Sequence, residues 1–139
     1  TMSGFEDVSD ESVYLSSTIY AVKPGDGSAR EQAASCQRVL LGGANITKEY
    51  ATKRYRSNCI NWGMIPFITR DEQSFTDDDY IFVPNIRKAL EGDMTNIPAY
   101  VMGENAKSIT LAIEPLTDEE KEIIRCGSLI NYNRKKKQA

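Results

Sequence analysis

The residues best suited to chemistry lie in a glycine-containing loop, residues 23–30, with the sequence KPGDGSAR. Ser28 supplies a hydroxyl, and Arg30 supplies a fixed positive charge on a planar fork that matches a carboxylate. A helix that begins at Arg30 would add the unpaired amide groups of its first turn and the positive end of its dipole. The backbone amide of Ala29, just before the helix, would be a further donor. Gly27 would let a ligand approach the backbone closely. The loop therefore predicts an anion site, with a carboxylate as the favoured ligand.

A purely structural interpretation of the same residues stays open. Ser28 followed three positions later by Glu31 is also the pattern of a capping box, in which each side chain binds the other residue's amide. Gly25 and Gly27 favour the functional interpretation, because a plain helix cap does not require two glycines. The chain contains no histidine, which excludes a Ser-His-Asp mechanism within it.

The surrounding pattern predicts elements that would position this loop. A strand over 13–22 leads into the loop, and a helix over 30–41 leaves it and ends at a Gly42-Gly43 cap. The further predictions are a strand over 44–46, a helix capped by Thr47 and running to 61, a strand over 64–69, a short helix over 84–90, strands over 100–102 and 108–114 with a hairpin at 103–105, and a terminal helix opened by the Thr117/Glu120 capping box and stopped by Gly127. This β-α-β alternation predicts an α/β fold.

Composition predicts one domain over residues 1–139, since 40% of the residues are hydrophobic and the length is typical of a single core. No apolar run approaches the roughly 20 residues that span a bilayer, and no signal peptide is visible. The net charge of −3 gives little attraction for nucleic acid, and the basic run 134–137 is expected to be a solvated tail. We expect a cytoplasmic protein without membrane or nucleic-acid partners.

Other candidate residues favour structural roles. Cys36, Cys59 and Cys126 are too far apart in sequence for Cys-x-x-Cys chemistry, and their odd number argues against a disulfide framework, so we expect buried free thiols. The three aspartates at 77–79 lack the spacing of a calcium loop and are expected in a solvated helix start or turn. Trp62 is expected in the core or at a domain interface.

Three ordered stretches resemble the aconitase superfamily, which includes aconitases, homoaconitases and isopropylmalate dehydratases. Residues 27–34, GSAREQAA, resemble the family's Gly-Ser-Ser-Arg-Glu-His-Ala segment. Residues 55–67, YRSNCINWGMIPF, look like its Arg-x-Asn-x-x-Asn-x-Gly-x-x-Pro stretch. Residues 116–132, LTDEEKEIIRCGSLINY, are similar to its terminal helix and Gly-x-Leu-x-Asn-Tyr ending. The resemblance covers about residues 20–132.

The resemblance implies a swivelling β/β/α domain, with a mixed sheet or barrel-like strands flanked by helices, cut from a larger hydratase. It implies a hydro-lyase that dehydrates and rehydrates a di- or tricarboxylate of the citrate, aconitate or isocitrate type. Ser28 would be the base that removes a proton from carbon, and Arg30 would bind a substrate carboxylate. Gly27 and the amide of Ala29 would complete the substrate-binding set.

The resemblance also implies a 4Fe-4S cluster on other domains, in the same chain or in a large subunit, with no cofactor or metal bound by this chain. The chain alone would then be inactive. Ala29 replaces the family's second serine and Gln32 replaces its frequent histidine, which leaves the substrate open. The alternatives are a homoaconitate or isopropylmalate dehydratase and, from another class, a non-catalytic regulatory domain that binds a carboxylate or phosphate.

Overall fold

The computed structural model describes residues 9, 12–70, 76–103 and 106–138. Six strands and five helices occur in these ranges, in the order β1 (Ser17–Ala21), α1 (Arg30–Val39), β2 (Gly42–Thr47), α2 (Lys53–Asn61), β3 (Ile65–Thr69), β4 (Tyr80–Phe82), α3 (Ile86–Ala89), β5 (Ile97–Met102), β6 (Lys107–Ile113), α4 (Asp118–Cys126) and α5 (Leu129–Gln138). None of the helices in these ranges is long and apolar enough to cross a membrane.

The strands form one curled, mixed sheet in the order β1-β2-β3-β6-β5-β4, flanked by helices. The strands β1, β2 and β3 are parallel, and the remaining neighbours are antiparallel. Parallel neighbours need a crossover connection, which α1 and α2 provide. The expectation of an α/β fold with a mixed sheet and flanking helices is confirmed, and the loops that follow β1 and β2 leave the same edge of the sheet.

Two clusters of apolar side chains hold the fold together. The main core lies between the sheet and the helices and is built chiefly from aliphatic residues: Ile46, Ile60, Phe67, Leu90, Ile97, Ala99, Val101, Ile109, Leu111, Ile113, Leu116, Ile123 and Ile124. A minor core comprises Ala34 of α1, Tyr55 and Cys59 of α2, and Met64, with Tyr50 and Trp62 packed against it. The minor core joins the two helices that follow the parallel strands β1 and β2, and thereby supports the 23–30 loop.

The terminal helix α4 begins and ends as its sequence predicts. The Thr117 hydroxyl accepts from the Glu120 amide at 3.1 Å, and the Glu120 carboxylate accepts from the Thr117 amide at 2.8 Å. Gly127 has a φ of 82° and closes the helix in the left-handed region, which glycine adopts without a steric cost. The predicted capping box and stop are therefore confirmed.

The prediction that Gly42 and Gly43 cap α1 is wrong, since both residues begin β2. The helix ends at Val39, and the left-handed φ falls on Leu41, at 62°. The two glycines serve close packing instead. A Cβ at Gly42 would lie 2.7 Å from the Gln37 carbonyl oxygen, and one at Gly43 would lie 2.1 Å from the Ser16 hydroxyl.

The prediction that Thr47 caps α2 is also wrong. Thr47 is the last residue of β2, fully buried, and pairs with Ala21 on one side and Ile68 on the other. A residue paired on both sides belongs to the sheet, so the helix starts later. Thr52 is the cap, and its hydroxyl accepts from the Tyr55 amide at 3.1 Å.

Two elements, the strand β4 and the helix α5, were not predicted. The basic run 134–137 is solvent-exposed, as expected, but it lies in α5. The strand β5 was predicted too short: it extends back to Ile97 and includes Pro98, where β5 pairs only with β6 and needs no second neighbour. The predicted hairpin at 103–105 falls partly on residues 104 and 105, outside the described residues.

Candidate functional site

The 23–30 loop joins the carboxyl end of β1 to the start of α1. It is tied to the loop after β2, because the Glu49 amide donates to the Val22 carbonyl at 3.1 Å and the Ala51 amide donates to the Pro24 carbonyl at 3.0 Å. An exposed ion pair, Lys23 Nζ–Glu49 Oε1 at 2.9 Å, joins the same two loops. The carboxyl ends of parallel strands are where open α/β sheets bind ligands.

The two glycines of the loop have different surroundings. Gly25 has a φ of 95°, and a Cβ built there would lie 2.4 Å from Cγ of the Tyr55 ring. Nothing lies within 4 Å of a Cβ built at Gly27. The fold therefore requires glycine at position 25, whereas Gly27 borders open space in which a ligand can approach the backbone.

The structural interpretation of Ser28 and Glu31 as a capping box does not hold. Ala29 is the cap residue of α1, with φ −87° and ψ 49°, and no side-chain hydrogen bond caps the helix. The Ala33 amide donates to the Ala29 carbonyl at 3.1 Å, as expected when Ala29 is the cap residue. Ser28 is exposed, and it lies beside first-turn amides that a helix leaves without internal partners.

Arg30 is half-buried and is oriented by the loop itself. Its Nε donates to the Gly25 carbonyl oxygen at 3.2 Å. Among the described residues, the ion pairs do not include Arg30. One edge of the guanidinium is thus fixed, and its terminal nitrogens are left to bind an anion. Ser28, Ala29 and Arg30 occupy one helix start, as the sequence predicted.

A buried polar network lies under the loop. Gln37 Nε2 donates to the Asn45 side-chain oxygen, and Asn45 Nδ2 donates to the Tyr55 hydroxyl and the Cys59 sulfur, both at 3.3 Å. Burial raises the pKa of Tyr55 to about 12 and that of Cys59 to about 11. Both groups are therefore neutral at neutral pH, and Cys59 is no nucleophile there, since the thiolate is the reactive form.

Arg56, the arginine of the second motif, has a structural role. Its Nη2 donates to the carbonyl oxygens of Glu114 and Pro115, both at 3.0 Å, and its Nε lies 3.2 Å from a Glu114 carboxylate oxygen. These contacts join α2 to the segment between β6 and α4. In the sequence this arginine is only one position of a motif. In the structure its contacts hold the helix that carries Tyr55.

The other candidate residues have mixed outcomes. All three cysteines are free, and the expected burial is confirmed for Cys59. It is wrong for Cys36, which is exposed on the outer face of α1, and Cys126 is only partly buried.

Asp79 lies in the expected exposed turn and accepts from the Thr76 amide at 2.7 Å. Trp62 packs against the minor core, as expected. In the described ranges, no three His, Cys, Asp or Glu side chains converge in a way that could hold a metal ion.

Sequence reasoning missed Tyr55 and undervalued Gly25. The sequence motif includes Tyr55 only as its first residue, although its ring contacts the loop and its hydroxyl belongs to the buried network. The available signal was the pair of glycines in the loop. One of them had to serve close packing against a large side chain, but the sequence does not show which side chain that is.

The fold and the loop together define a class: a mixed α/β domain whose first parallel strand leads into a serine- and arginine-bearing helix start. Over 113 residues, 81% of the chain, the sequence is 32% identical to the methanogen homoaconitase small subunit of Methanocaldococcus jannaschii. The chain belongs to the aconitase superfamily, as a domain of the small-subunit or swivel type, and the sequence resemblance is thereby confirmed.

The extent of this similarity matters for the site. A matched stretch of 113 residues in a chain of 139 necessarily includes residues 27–113 and therefore Ser28 and Arg30. The chain spans 58% of the length of this relative. No protein-family model matches the chain.

Proposed function

We propose that residues 1–139 form the swivel domain of an aconitase-like hydro-lyase that dehydrates and rehydrates a di- or tricarboxylate. The observation that carries the proposal is the similarity to a homoaconitase small subunit across the loop that holds Ser28 and Arg30 at one helix start. In the assembled enzyme the loop would form one half of the active site. The isolated chain would then be inactive.

Ser28 is the proposed base. Removal of a proton from a carbon next to a carboxylate needs a base, and a serine alkoxide forms only where its charge is strongly stabilised. The unpaired amides at the start of α1, the helix dipole and the charge of Arg30 provide that stabilisation. The same groups stabilise the negative charge that develops on the substrate carboxylate.

Arg30 is the proposed carboxylate clamp, and Gly27 and the Ala29 amide are the other proposed substrate contacts. The Nε of Arg30 is engaged by the Gly25 carbonyl at 3.2 Å, which leaves the terminal nitrogens for the carboxylate. A guanidinium held in this way offers two parallel hydrogen bonds at a small entropic cost. Gly27 leaves the space in front of the loop open.

Because of Ala29, three kinds of acid remain candidate substrates. The first is a tricarboxylate of the citrate, aconitate or isocitrate type. Ala29 keeps its backbone amide but lacks the hydroxyl that the family's second serine would offer. A hydrogen bond to a charged group contributes about 1.5–3 kcal/mol, enough to change substrate preference without abolishing catalysis. A homoaconitate-type substrate is the second candidate, since the relative named above is a homoaconitase small subunit. The third is an isopropylmalate-type acid.

The described residues of this chain do not fit a 4Fe-4S cluster. The three cysteines lie on three different helices, and among the described residues none of them belongs to a group of three His, Cys, Asp or Glu side chains that could hold a metal ion. We therefore assign the cluster to a cluster-bearing partner, either other domains of the same chain or a large subunit. When bound there, it would act as the Lewis acid for the leaving hydroxyl.

The test is hydration activity of the anaerobically reconstituted full-length protein, assembled with its cluster-bearing partner. Aconitate, homoaconitate and an isopropylmalate-type substrate are assayed in parallel. Turnover of one of them supports the hydro-lyase and identifies its acid. A folded, cluster-loaded protein that binds a tricarboxylate but turns over none of the three would favour the regulatory binding domain, which the alanine at position 29 makes the competing candidate.

A further inference from the structure

The backbone of the 23–30 loop rests on an aromatic side chain. A Cβ at Gly25 would lie 2.4, 2.5 and 2.7 Å from Cγ, Cβ and Cδ1 of Tyr55. Such distances mean that the Gly25 backbone is already in contact with the tyrosine, with no room for a side chain. Tyr55 is 4% exposed, so the loop and the minor core enclose it almost completely.

The Tyr55 ring is held from several directions. The backbone amide of Tyr55 donates to the Thr52 hydroxyl at the start of α2, at 3.1 Å. The Tyr55 hydroxyl accepts from Asn45 Nδ2 at 3.3 Å, and the Asn45 side-chain oxygen accepts in turn from Gln37 Nε2. The Tyr50 ring lies alongside, with ring centroids 6.3 Å apart. A buried side chain fixed in this way is a rigid support, because close-packed interiors leave little room for alternative rotamers.

The Gly25 peptide that rests on this ring also orients Arg30. Its carbonyl oxygen accepts the Arg30 Nε–H at 3.2 Å, which fixes the plane of the guanidinium. A continuous line of contacts therefore runs from Asn45 through Tyr55 and Gly25 to Arg30. If the ring were removed, the Gly25 carbonyl would be free to move, and the Arg30 guanidinium would no longer be held in one orientation.

We propose that Tyr55 is the positioning residue of the carboxylate clamp, acting on Arg30 through the Gly25 carbonyl. This inference rests on the proposed function of Arg30. The ring packs against the loop, and the hydroxyl anchors the ring to β2, so the ring is the essential part. Misplacement of a binding group by about 1 Å is enough to cost on the order of a hundredfold in catalytic efficiency.

The kinetic test compares Tyr55→Phe with Tyr55→Leu in the reconstituted full-length enzyme. Phenylalanine keeps the ring under Gly25, so we expect KM and kcat within about threefold of wild type. Leucine removes the flat support, and we expect KM to rise about tenfold or more while kcat changes less. Equal KM values for wild type and Tyr55→Leu would overturn the proposal.

Two glycine variants supply a matched control on the same loop. Gly25→Ala introduces a methyl group where the ring lies, at a φ of 95°, and we expect the same rise in KM as for Tyr55→Leu. Gly27→Ala places its methyl group in open space and should leave the Arg30 hydrogen bond intact. It is the control for that hydrogen bond and not for KM, because Gly27 is itself a proposed substrate contact. An intact Arg30–Gly25 bond in Gly25→Ala would contradict the proposal even if Tyr55→Leu did not fold.

A spectroscopic readout separates this proposal from the proposed function. In protein labelled with ¹⁵N-arginine, the Arg30 Nε–H should exchange slowly in wild type and Tyr55→Phe, and fast in Tyr55→Leu and Gly25→Ala. Protection of the Arg125 backbone amide in α4, which the same label makes visible, reports that each variant is folded. If the wild type turns over none of the acids, the proposed function fails, and the exchange pattern alone then decides the positioning role: unchanged Arg30 exchange in Tyr55→Leu and Gly25→Ala would overturn it.

Discussion

Ser28 and Arg30 lie two positions apart, but the structure gives them different surroundings. Ser28 is exposed beside the first-turn amides of α1, in a helix that no side chain caps. Arg30 is half-buried and bound through Nε to the Gly25 carbonyl. Substitutions of these two residues should therefore separate proton transfer from substrate binding.

Arg30→Lys should raise KM about tenfold or more, with a smaller effect on kcat. Lysine keeps a positive charge, but it cannot donate to the Gly25 carbonyl and present a planar fork to the substrate at the same time. Steady-state kinetics of the reconstituted enzyme measures the effect. Arg54→Lys, on an exposed position of α2, is the control and should match wild type. A KM for Arg30→Lys equal to that of the control would contradict the clamp assignment.

Cys59 should make the fold sensitive to alkaline pH. Burial raises the pKa of its thiol from 9.0 to about 11, so the folded state binds this proton more tightly than the unfolded state. The resulting stability is fully present below about pH 9 and is lost as pH rises through about 11, a decline of about 2–3 kcal/mol. Urea unfolding between pH 7 and 11 measures it.

Cys59→Ser is the matched variant for this measurement. Serine still accepts from Asn45 but does not titrate in this range, so the variant should lose less stability between pH 8 and 11. Tyr55, with a pKa raised to about 12, destabilises both proteins in the same direction at high pH. Identical pH profiles for the two proteins would mean that the buried thiol does not contribute.

At the scale of elements, two helices begin with the same pattern of hydroxyl, two residues and glutamate, and only one forms a capping box. In α4 the cap residue Thr117 is extended, with φ −70° and ψ 160°, and its side chain reaches the Glu120 amide. In α1 the helix begins one residue later, so that Ala29 is the cap and Ser28 precedes it. This shift leaves the Ser28 hydroxyl available for chemistry.

Thr117→Ala and Ser28→Ala should therefore differ in stability. Loss of a hydroxyl cap typically costs about 1 kcal/mol, and we expect that loss for Thr117→Ala. Ser28→Ala removes no cap and should change the free energy of unfolding by less than about 0.5 kcal/mol. Urea denaturation of the two variants beside wild type measures both. A loss of about 1 kcal/mol in Ser28→Ala would restore the structural interpretation of this serine.

Local signals predicted the elements that depend on local chemistry. The capping box of α4, its Gly127 stop and the start of α1 at Arg30 all follow from a few neighbouring residues. The errors arose where distant strands decide the boundary. Thr47 belongs to β2 because it pairs with a strand on each side. Gly42 and Gly43 lie in β2 and not in a helix cap, and they pack closely against Gln37 and Ser16.

The candidate site shows the same division. Ser28 and Arg30 could be proposed from the sequence because they are adjacent to a turn and a helix start. The support of the site was not found, because Tyr55 lies 30 positions after Gly25 and reaches it only through the packing of α2 against the β1–α1 connection. A contact of this kind depends on the crossover topology, which no local pattern specifies.

At the scale of the whole molecule, the loop is presented at the sheet edge with its serine exposed. The chain spans 58% of the length of the homoaconitase small subunit that it resembles. If Ser28 is the base, as we propose, its exposed position cannot exclude water from a reacting carbanion, and a productive site would need a second surface to close over it. We therefore propose that the remaining catalytic groups lie on a partner domain or subunit.

The chain alone should show no hydration of any of the three acids, and activity should appear when the cluster-bearing partner is added. The expected signal is a rate that rises with the concentration of this chain and then saturates. Ser28→Ala, titrated in the same way, should associate but give little rate. Turnover by the chain alone would contradict the assignment of half a site to it.

The most direct test of the central claim is the kcat of Ser28→Ala in the reconstituted full-length enzyme, measured beside wild type on the acid that wild type hydrates. A positioned base contributes about 10²–10⁴-fold, so we predict a loss of at least about a hundredfold in kcat with KM within about threefold. The thermal unfolding of the two proteins should be the same. A kcat close to that of wild type would contradict the account, because Ser28 would then be no more than an exposed residue before a helix.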